Sequence, residues 1–563
     1  MMKYYVEKYD FKQADKVEEE LRKLLERPVT SVEDLEKWLV DQTEVYDAIE
    51  EALSGHYIDF QCYSHSEKAK EAFEYDQKYI EPMVKRYEAL LDNKFLKNEY
   101  KSLLDTDIYG EFIKSKENAK AIFRDENVDL EIEEDRLATR YFEITGSLTV
   151  DWDGDELTLS EAKVHLKSSD RETRKKAATL IMEAVLSEEA ELQLIMDDLI
   201  KLRQKKAENA GLSNYRDYMF KKYERFDYTP KDCKTLMESV RKHARPIQDY
   251  LLNEKKSELG VDSLRFWDLQ GVPNGQTPLK PYETRNELVE GTKEMLNTLN
   301  PRFGELLSRM DERGMLDLSA RKGKAPGGFC TTLPVSDLSF IFMNEARQQD
   351  DLVTLIHEMG HCIHNDYKKD LPVGLYRDTP SESAELASMT MELFTMDQWD
   401  RFYKNEEDLK RAKKEQFSNI IDLLTQGMVV DQFQHWLYEN PEHTKDERNS
   451  YFENLSNELS LGAVDWTGVR DWHRNKWLFV LHIFEVPFYY IEYVIAQLGA
   501  VQMYMQYKED PETALANYER ALKLGRSKPL PEVYKAAGIS FEFSDNTVRN
   551  AVSFIKKELE ELK

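Results

Sequence analysis

His357-Glu358-Met359-Gly360-His361 is an H-E-x-x-H pentapeptide set in a stretch with helical periodicity. Histidines four apart share one face of a helix, so both imidazoles can reach a single zinc ion. The glutamate between them then stands beside the metal, placed to take a proton from zinc-bound water. Two solvated or core histidines are the alternative reading of so short a motif, and the surroundings argue against it. Leu352, Leu355, Ile356, Met359, Cys362 and Ile363 make the helix apolar, and Asp350 or Asp351 is a candidate N-cap. Two imidazoles and a carboxylate buried together need a partner such as a metal. Gly360 lowers helix propensity in mid-helix, which makes sense where something must come close to the backbone.

A catalytic zinc takes a third protein ligand and keeps an open position for water. The longer form H-E-x-x-H-x-x-G-x-x-H does not continue here, because the chain has His364 and Tyr367 at the decisive positions. Thr379-Pro380-Ser381-Glu382 reads as a capping box with proline at the first helical position. It opens a helix over 380–398 that carries Glu385, Ser388 and Glu392 beside Leu386, Met389, Leu393 and Phe394. A short loop through Pro372 and Gly374 would fold this helix back on the first. Glu385 is the candidate third ligand, with a solvated helix carboxylate as the competing reading. Glu392, further along the same face, is a candidate for orienting a ligand histidine, against ordinary exposure.

Taken together, His357 through His364, followed by Ser383-Ala384-Glu385 and Met391-Glu392-Leu393-Phe394, resemble the zinc core of the thimet oligopeptidase and oligoendopeptidase F family of zinc metallopeptidases. Gly323-Lys324-Ala325-Pro326-Gly327-Gly328-Phe329-Cys330 resembles that family's glycine-rich segment, and Phe340-Ile341-Phe342-Met343-Asn344 resembles the strand before its motif helix. His482 and the tyrosines of Pro487-Phe488-Tyr489-Tyr490-Ile491-Glu492-Tyr493 resemble its transition-state-binding segment. The resemblance is strongest over about 320–500 and is nearest to the oligoendopeptidase F and Pz-peptidase branch. It implies that His357, His361 and Glu385 hold one zinc ion (Zn2+), and that Glu358 is general base and then proton donor to the leaving amine. It also implies that His482 and Tyr493 donate hydrogen bonds to the oxyanion, with Tyr489 a third candidate.

Tyr489 and Tyr493 share a face if their segment is helical, and Pro487 reads as the start of that helix, leaving His482 on the preceding element. Ile491 interrupts the tyrosine alternation common in related sequences, so which tyrosine donates stays open, and Tyr490 reads as core. The strand over 337–344 is a candidate edge to which a peptide substrate adds as an extra strand. Gly327 and Gly328 would let that peptide's backbone approach and Phe340 would contact it, while an ordinary buried strand is an equal alternative.

The bulk properties fit a soluble intracellular enzyme. The 563 residues are enough for large cores, and 107 acidic against 78 basic residues give a net charge of −29. That charge argues against nucleic acid or an anionic membrane as partner. Met1 to Glu7 lacks the apolar core of a signal peptide. Cys62, Cys233, Cys330 and Cys362 form no C-x-x-C pair and no secreted framework, which points to reduced thiols in a cytoplasm. Cys330 and Cys362 could make activity sensitive to oxidation, against small buried core residues as the plainer reading. Trp477 to Val501 is long and apolar, yet His482, Glu485, Pro487, Glu492 and Gln497 interrupt it, so it reads as a buried segment and not as a membrane span.

The chain is mostly helical in pattern. Charged helices with apolar spacing such as Val17, Leu21, Leu24 and Leu25 run from about 12 to 125. Ile144 to Leu159 alternates around Asp153-Gly154, a hairpin signal. Helices resume after Ser168-Ser169-Asp170, and a loop over 271–281, rich in glycine and proline, precedes the catalytic half. The expected architecture is mainly α: an N-terminal helical lobe over 1–180 and a catalytic lobe over 181–563, with a small β-sheet beside the zinc. The resemblance implies two lobes enclosing a deep channel that admits short unfolded oligopeptides. The expected function is a zinc-dependent oligoendopeptidase. A helical zinc carboxypeptidase is the alternative among enzymes, and a catalytically silent peptide-binding protein with a structural zinc is the alternative of another class.

Overall fold

Helices carry most of the chain, and the reason is visible in the first of them. In Ala14–Glu26 the apolar residues recur every three or four positions, and Val17, Leu21 and Leu24 are fully buried while charged residues face water. The structure is a computed structural model that describes residues 13–325 and 327–563; residues 1–7, read above for a signal core, and Pro326 of the glycine-rich segment lie outside them. The expectation of a mainly α chain with small sheets is borne out. Five short strands occur among the described residues: β1 (Thr149–Trp152), β2 (Asp155–Thr158), β3 (Leu316–Ser319), β4 (Phe329–Leu333) and β5 (Leu338–Glu345).

The chain forms two compact units, each assembled from three separate stretches. The first comprises Met1–Ala121, Lys280–Leu409 and Gly499–Phe541. Its helical core gathers Val17, Leu21, Trp38, Val45 and Phe95 around Tyr376. Tyr376 lies in a 3-10 turn, Gly374–Arg377, within the loop through Pro372 and Gly374. Its hydroxyl donates to the Ile108 carbonyl (2.6 Å) and accepts from the Phe112 amide (3.2 Å), which ties that loop to an N-terminal helix. The same unit holds a three-stranded sheet of order β3-β5-β4, with β3 parallel and β4 antiparallel to β5. Phe329 pairs with Phe342 across it, their rings stacked with centroids 4.9 Å apart.

The second unit comprises Ile122–Leu279, Lys410–Leu498 and Glu542–Lys563. Its hairpin β1–β2 turns at Asp153-Gly154, where φ is +58° and +96°, the paired left-handed conformation that tight hairpins require. The helix Arg171–Ser187 starts at Asp170, whose carboxylate accepts from the Thr173 amide (2.8 Å). The apolar stretch at 477–501 is broken into a 3-10 turn (Lys476–Phe479), a short helix (Leu481–Glu485) and the longer helix Tyr490–Glu509. Among the described residues no helix is long and apolar enough to cross a membrane.

Candidate metal centre and active site

The pentapeptide sits in the helix Gln349–Lys368, called here the motif helix. Its N-cap is Gln348, which corrects the expectation of Asp350 or Asp351 in that role. Asp351 stands at the third helical position, and its Oδ2 accepts from the Gln348 amide (2.6 Å) and the Ala346 amide (2.9 Å). The second helix is Ser381–Thr395, shorter than the expected 380–398, with Pro380 as N-cap and no side-chain cap bond. Thr379 does not cap it, because its hydroxyl accepts from Lys368 Nζ (3.2 Å) at the end of the motif helix. The two helices pack closely at Gly360. A β-carbon built there would lie 2.5 Å from Ser388 Cα, 2.9 Å from the Ala387 carbonyl oxygen and 3.0 Å from the Ser388 nitrogen. The glycine is thus explained by the backbone of the second helix.

This close crossing puts Glu385 against both histidines. Glu385 Oε2 lies 3.2 Å from His357 Nε2 and 3.7 Å from His361 Nε2, and one donor atom from each of the three falls within 4.8 Å of the others. Two imidazoles and a carboxylate converging from one side are a donor set suited to zinc. His357 Nδ1 is paired with Glu392 Oε1 at 2.7 Å, which fixes the ring and turns Nε2 toward Glu385. Ser388 Oγ donates to Glu385 Oε2 (2.9 Å). Glu358, between the two histidines, is buried, with 8 % of its surface exposed. His364 is buried as well and stands apart from this donor set.

The electrostatics follow from that packing. Burial pushes the Glu358 carboxyl up to about 7, opposed by the neighbouring His357 charge and reinforced by Glu385 and Glu392. Burial also raises Glu385, but His361, His357 and the Ser388 hydroxyl overcome it and hold the carboxylate down to about 2. His357 is disfavoured as a cation by burial, yet its bonds to Glu385 and Glu392 prevail and raise it well above the usual imidazole range. His361 is lowered to about 4 by burial.

The sheet beside this centre departs from expectation in one respect. β5 is the central strand, paired on both sides, so it offers no free edge to a peptide. Phe340 within it is buried, 7 % exposed, and packs in a core cluster with Cys62, Leu333 and Phe342. The edges are β3 and β4, and β4 follows directly on Gly327 and Gly328. Gly327 has φ +100°, a conformation that side chains resist, and nothing lies within 4 Å of where its β-carbon would be. Asn344 Nδ2 pins this segment by donating to the Ala325 (2.8 Å) and Gly327 (3.0 Å) carbonyls. Lys324 anchors it from within, its buried Nζ donating to Asp317 Oδ1 and the Ser319 carbonyl. Cys330 on β4 and Cys362 on the motif helix meet with Sγ atoms 3.5 Å apart, both as free thiols.

The second unit holds the other predicted residues. The His482 ring lies 6.0 Å, centroid to centroid, from Tyr489 and 5.8 Å from Tyr493, and the two tyrosine rings are 5.1 Å apart. Helical phasing thus brings Tyr489 and Tyr493 together, although Tyr489 precedes the first residue of Tyr490–Glu509. His482 lies on the preceding short helix, and burial lowers its pKa.

Residues that sequence reasoning missed hold this cluster. Arg203, fully buried, donates Nη1 to the Ile483 carbonyl (3.0 Å) and the Tyr438 hydroxyl (2.8 Å), and Nη2 to the Phe484 carbonyl. Arg225 donates to the Phe488 carbonyl (2.5 Å) and Glu492 Oε1 (2.7 Å), and Gln434 accepts from the Phe488 amide (2.7 Å). Between them Phe488 is held at φ +67°, a left-handed conformation that costs energy in a bulky residue. In the sequence, Arg203 and Arg225 sit among other charged residues, and no local signal separates them from solvated arginines.

Comparison with known proteins bears on the family and the fold. The model of peptidase family M3 matches residues 164–552. The chromosomal oligoendopeptidase F of Lactococcus lactis subsp. cremoris is 26% identical over 344 residues, covering 58% of this chain and 53% of its own length. Oligopeptidase PepF of Bacillus subtilis (strain 168) is 23% identical over 442 residues, covering 75% of this chain and 62% of its own. The chain spans about half the length of the first of these relatives. Among solved structures, Pz peptidase A with inhibitor 2 superimposes with a TM-score of 0.91 at 26% identity, over 99% of each chain. Oligoendopeptidase-F from Enterococcus faecium, at 16% identity and a TM-score of 0.67 over 98% of this chain and 97% of its own, shares the fold.

Proposed function

The chain belongs to peptidase family M3, and from that premise we propose that it is a zinc-dependent oligoendopeptidase, cutting internal bonds of short unfolded peptides. The observation that carries this reading is the convergence of His357, His361 and Glu385 with Glu358 on the same helix. The first three would hold one zinc ion. When bound, zinc supplies Lewis acidity and makes water a stronger acid.

The chain's own residues do the rest. Glu392 keeps the His357 ring oriented, and Ser388 keeps the Glu385 carboxylate oriented. Glu358 takes one proton from the attacking water as its oxygen bonds to the peptide carbonyl carbon. The oxyanion that forms is stabilised, on the resemblance, by hydrogen bonds from His482 and from Tyr489 or Tyr493. Glu358 then delivers the proton to the amide nitrogen, the C–N bond breaks, and a carboxylate and an amine leave. Substrate lies as an extended strand beside β4, where Gly327 leaves room for its backbone, whereas a β-carbon at Gly328 would lie 3.3 Å from the Phe342 carbonyl oxygen. In this reading main-chain bonds supply most of the affinity.

Glu358→Gln tests the assignment. The variant should retain zinc, because the three donors are untouched, and should lose at least about a hundredfold in kcat, the scale of general-base catalysis. A variant with full activity would remove Glu358 from the mechanism.

A further inference from the structure

A second set of metal-ligating side chains lies in the second unit. Cys233 comes from the helix Pro230–Glu258, and Asp431 and His435 come from the helix Glu406–Glu439, one turn apart on the same face. One donor atom from each lies within 4.8 Å of the other two. All three are buried, with 1 %, 1 % and 6 % of their surfaces exposed. The surroundings are apolar: the His435 ring packs edge-on against Phe488 (5.4 Å) and Phe220 (6.2 Å).

Two atoms of this cluster are left without a hydrogen bond. Asp431 Oδ1 has none, while Oδ2 accepts from Gln432 Nε2 (2.9 Å). His435 Nε2 has none, although it lies 3.4 Å from Asp431 Oδ2. Buried polar atoms in folded proteins are nearly always satisfied, so a carboxylate oxygen and an imidazole nitrogen converging unsatisfied on a thiol require an explanation. Arg225 stands close by, but it donates to Glu492 and to the Phe488 carbonyl.

We infer that Cys233, Asp431 and His435 form a second, structural site for a divalent transition metal of the zinc class. The donor set is one thiolate, one carboxylate and one imidazole, which suits a borderline-soft ion and disfavours magnesium or calcium. The charges balance. On binding, the Cys233 thiol releases one proton, and the thiolate and the Asp431 carboxylate neutralise the two positive charges of the ion while His435 binds as neutral imidazole. The site joins two helices that are far apart in sequence, and His435 touches Phe488, which precedes the tyrosine cluster. Its role is to lock these helices together, and it is independent of the proposed catalytic zinc, whose donors include no sulfur.

That difference supplies the test. The full-length chain is stripped with a chelator and titrated with Co2+, following the sulfur-to-cobalt charge-transfer absorption, which the His357, His361 and Glu385 set cannot produce. The site predicts a thiolate band saturating at one ion per chain. It predicts that Cys233→Ser abolishes the band and that His435→Gln, which leaves the thiol in place, weakens Co2+ binding there more than about a hundredfold. Cys362→Ala should keep the band, and His361→Ala should lose peptide hydrolysis while keeping it. A wild-type chain without a thiolate band, or a band that survives in Cys233→Ser, would overturn the inference. Should Cys233→Ser fail to fold by circular dichroism, His435→Gln decides: unchanged Co2+ affinity in that variant overturns the site.

Discussion

Gly360→Ala offers a sharp test of how the two helices make the metal centre. In an unobstructed helix this change stabilises by about 1 kcal/mol, because alanine is the better helix former. Here the new methyl group would stand 2.5 Å from Ser388 Cα, where carbon atoms in contact prefer about 3.5 Å or more. Its other neighbours are the Ala387 carbonyl oxygen and the Ser388 nitrogen, so backbone and not a flexible side chain must give way. The helices must part by about 1 Å, at an overpacking cost of about 1–3 kcal/mol that offsets or exceeds the propensity gain. Net stability should therefore fall by about 0–2 kcal/mol.

The functional effect is larger than the effect on stability. Ser388, whose backbone is displaced, holds Glu385 Oε2, and Glu385 reaches the two histidines across this contact. A displacement near 1 Å at a reacting centre costs on the order of a hundredfold in rate. The assay is kcat/KM on an internally quenched peptide, with zinc affinity from competition against a chelator and a thermal melt on the same sample. The expected result is a loss of about a hundredfold in kcat/KM and weaker zinc binding with a small drop in Tm. A variant with a raised Tm and unchanged kcat/KM and zinc affinity would refute the close-packing argument.

Three further outcomes are expected. Glu392→Gln should weaken zinc binding by about 10–100-fold, since it removes the charge that orients His357; unchanged affinity on chelator competition would contradict that role. Of Tyr489→Phe and Tyr493→Phe, at least one should lower kcat by about a hundredfold or more with little change in circular dichroism, and two near-wild-type values would remove both hydroxyls from the reaction. Glu134 links pH to stability in the second unit. Burial raises this carboxylate, but Arg203 and Lys206 prevail and hold it down to about 2, against an ordinary 4.5. Because the folded value is the lower one, the stabilisation is complete above about 4.5 and is lost as pH falls through 2; it amounts to about 3 kcal/mol. Urea melts of Glu134→Gln should show that deficit at pH 7, narrowing as pH falls below about 4.5, and a deficit independent of pH would contradict the linkage.

The candidate metal centre was legible from local signals together with the family resemblance. His357 and His361 are one turn apart, and Glu385 and Glu392 lie two turns apart on a single helix, so periodicity alone put each pair on one face. Where local rules competed, they misled. Thr379 has the sequence of a cap, yet the nearby Lys368 amine takes its hydroxyl. The apolar run within 338–345 suits a strand but says nothing of its neighbours, so the edge role expected of 337–344 falls on β5, which is central. What pairs across long separations left no trace in the sequence. Arg203 and Arg225 look like any charged residue until the carbonyls of Ile483, Phe484 and Phe488 are seen against them. Cys233 read as a lone thiol because Asp431 and His435 come to it from a helix far along the chain.

The central claim is metal-dependent cleavage inside short peptides, and mass spectrometry of a mixed peptide digest tests it most directly. Peptides from a few to a few dozen residues would be incubated with the chain as purified, after chelation, and after zinc is restored. The account predicts internal cuts confined to the shorter peptides, absent after chelation and regained with zinc. Removal of single residues from the C-terminus would instead make the chain a carboxypeptidase, and intact peptides in the presence of bound zinc would contradict the catalytic account altogether.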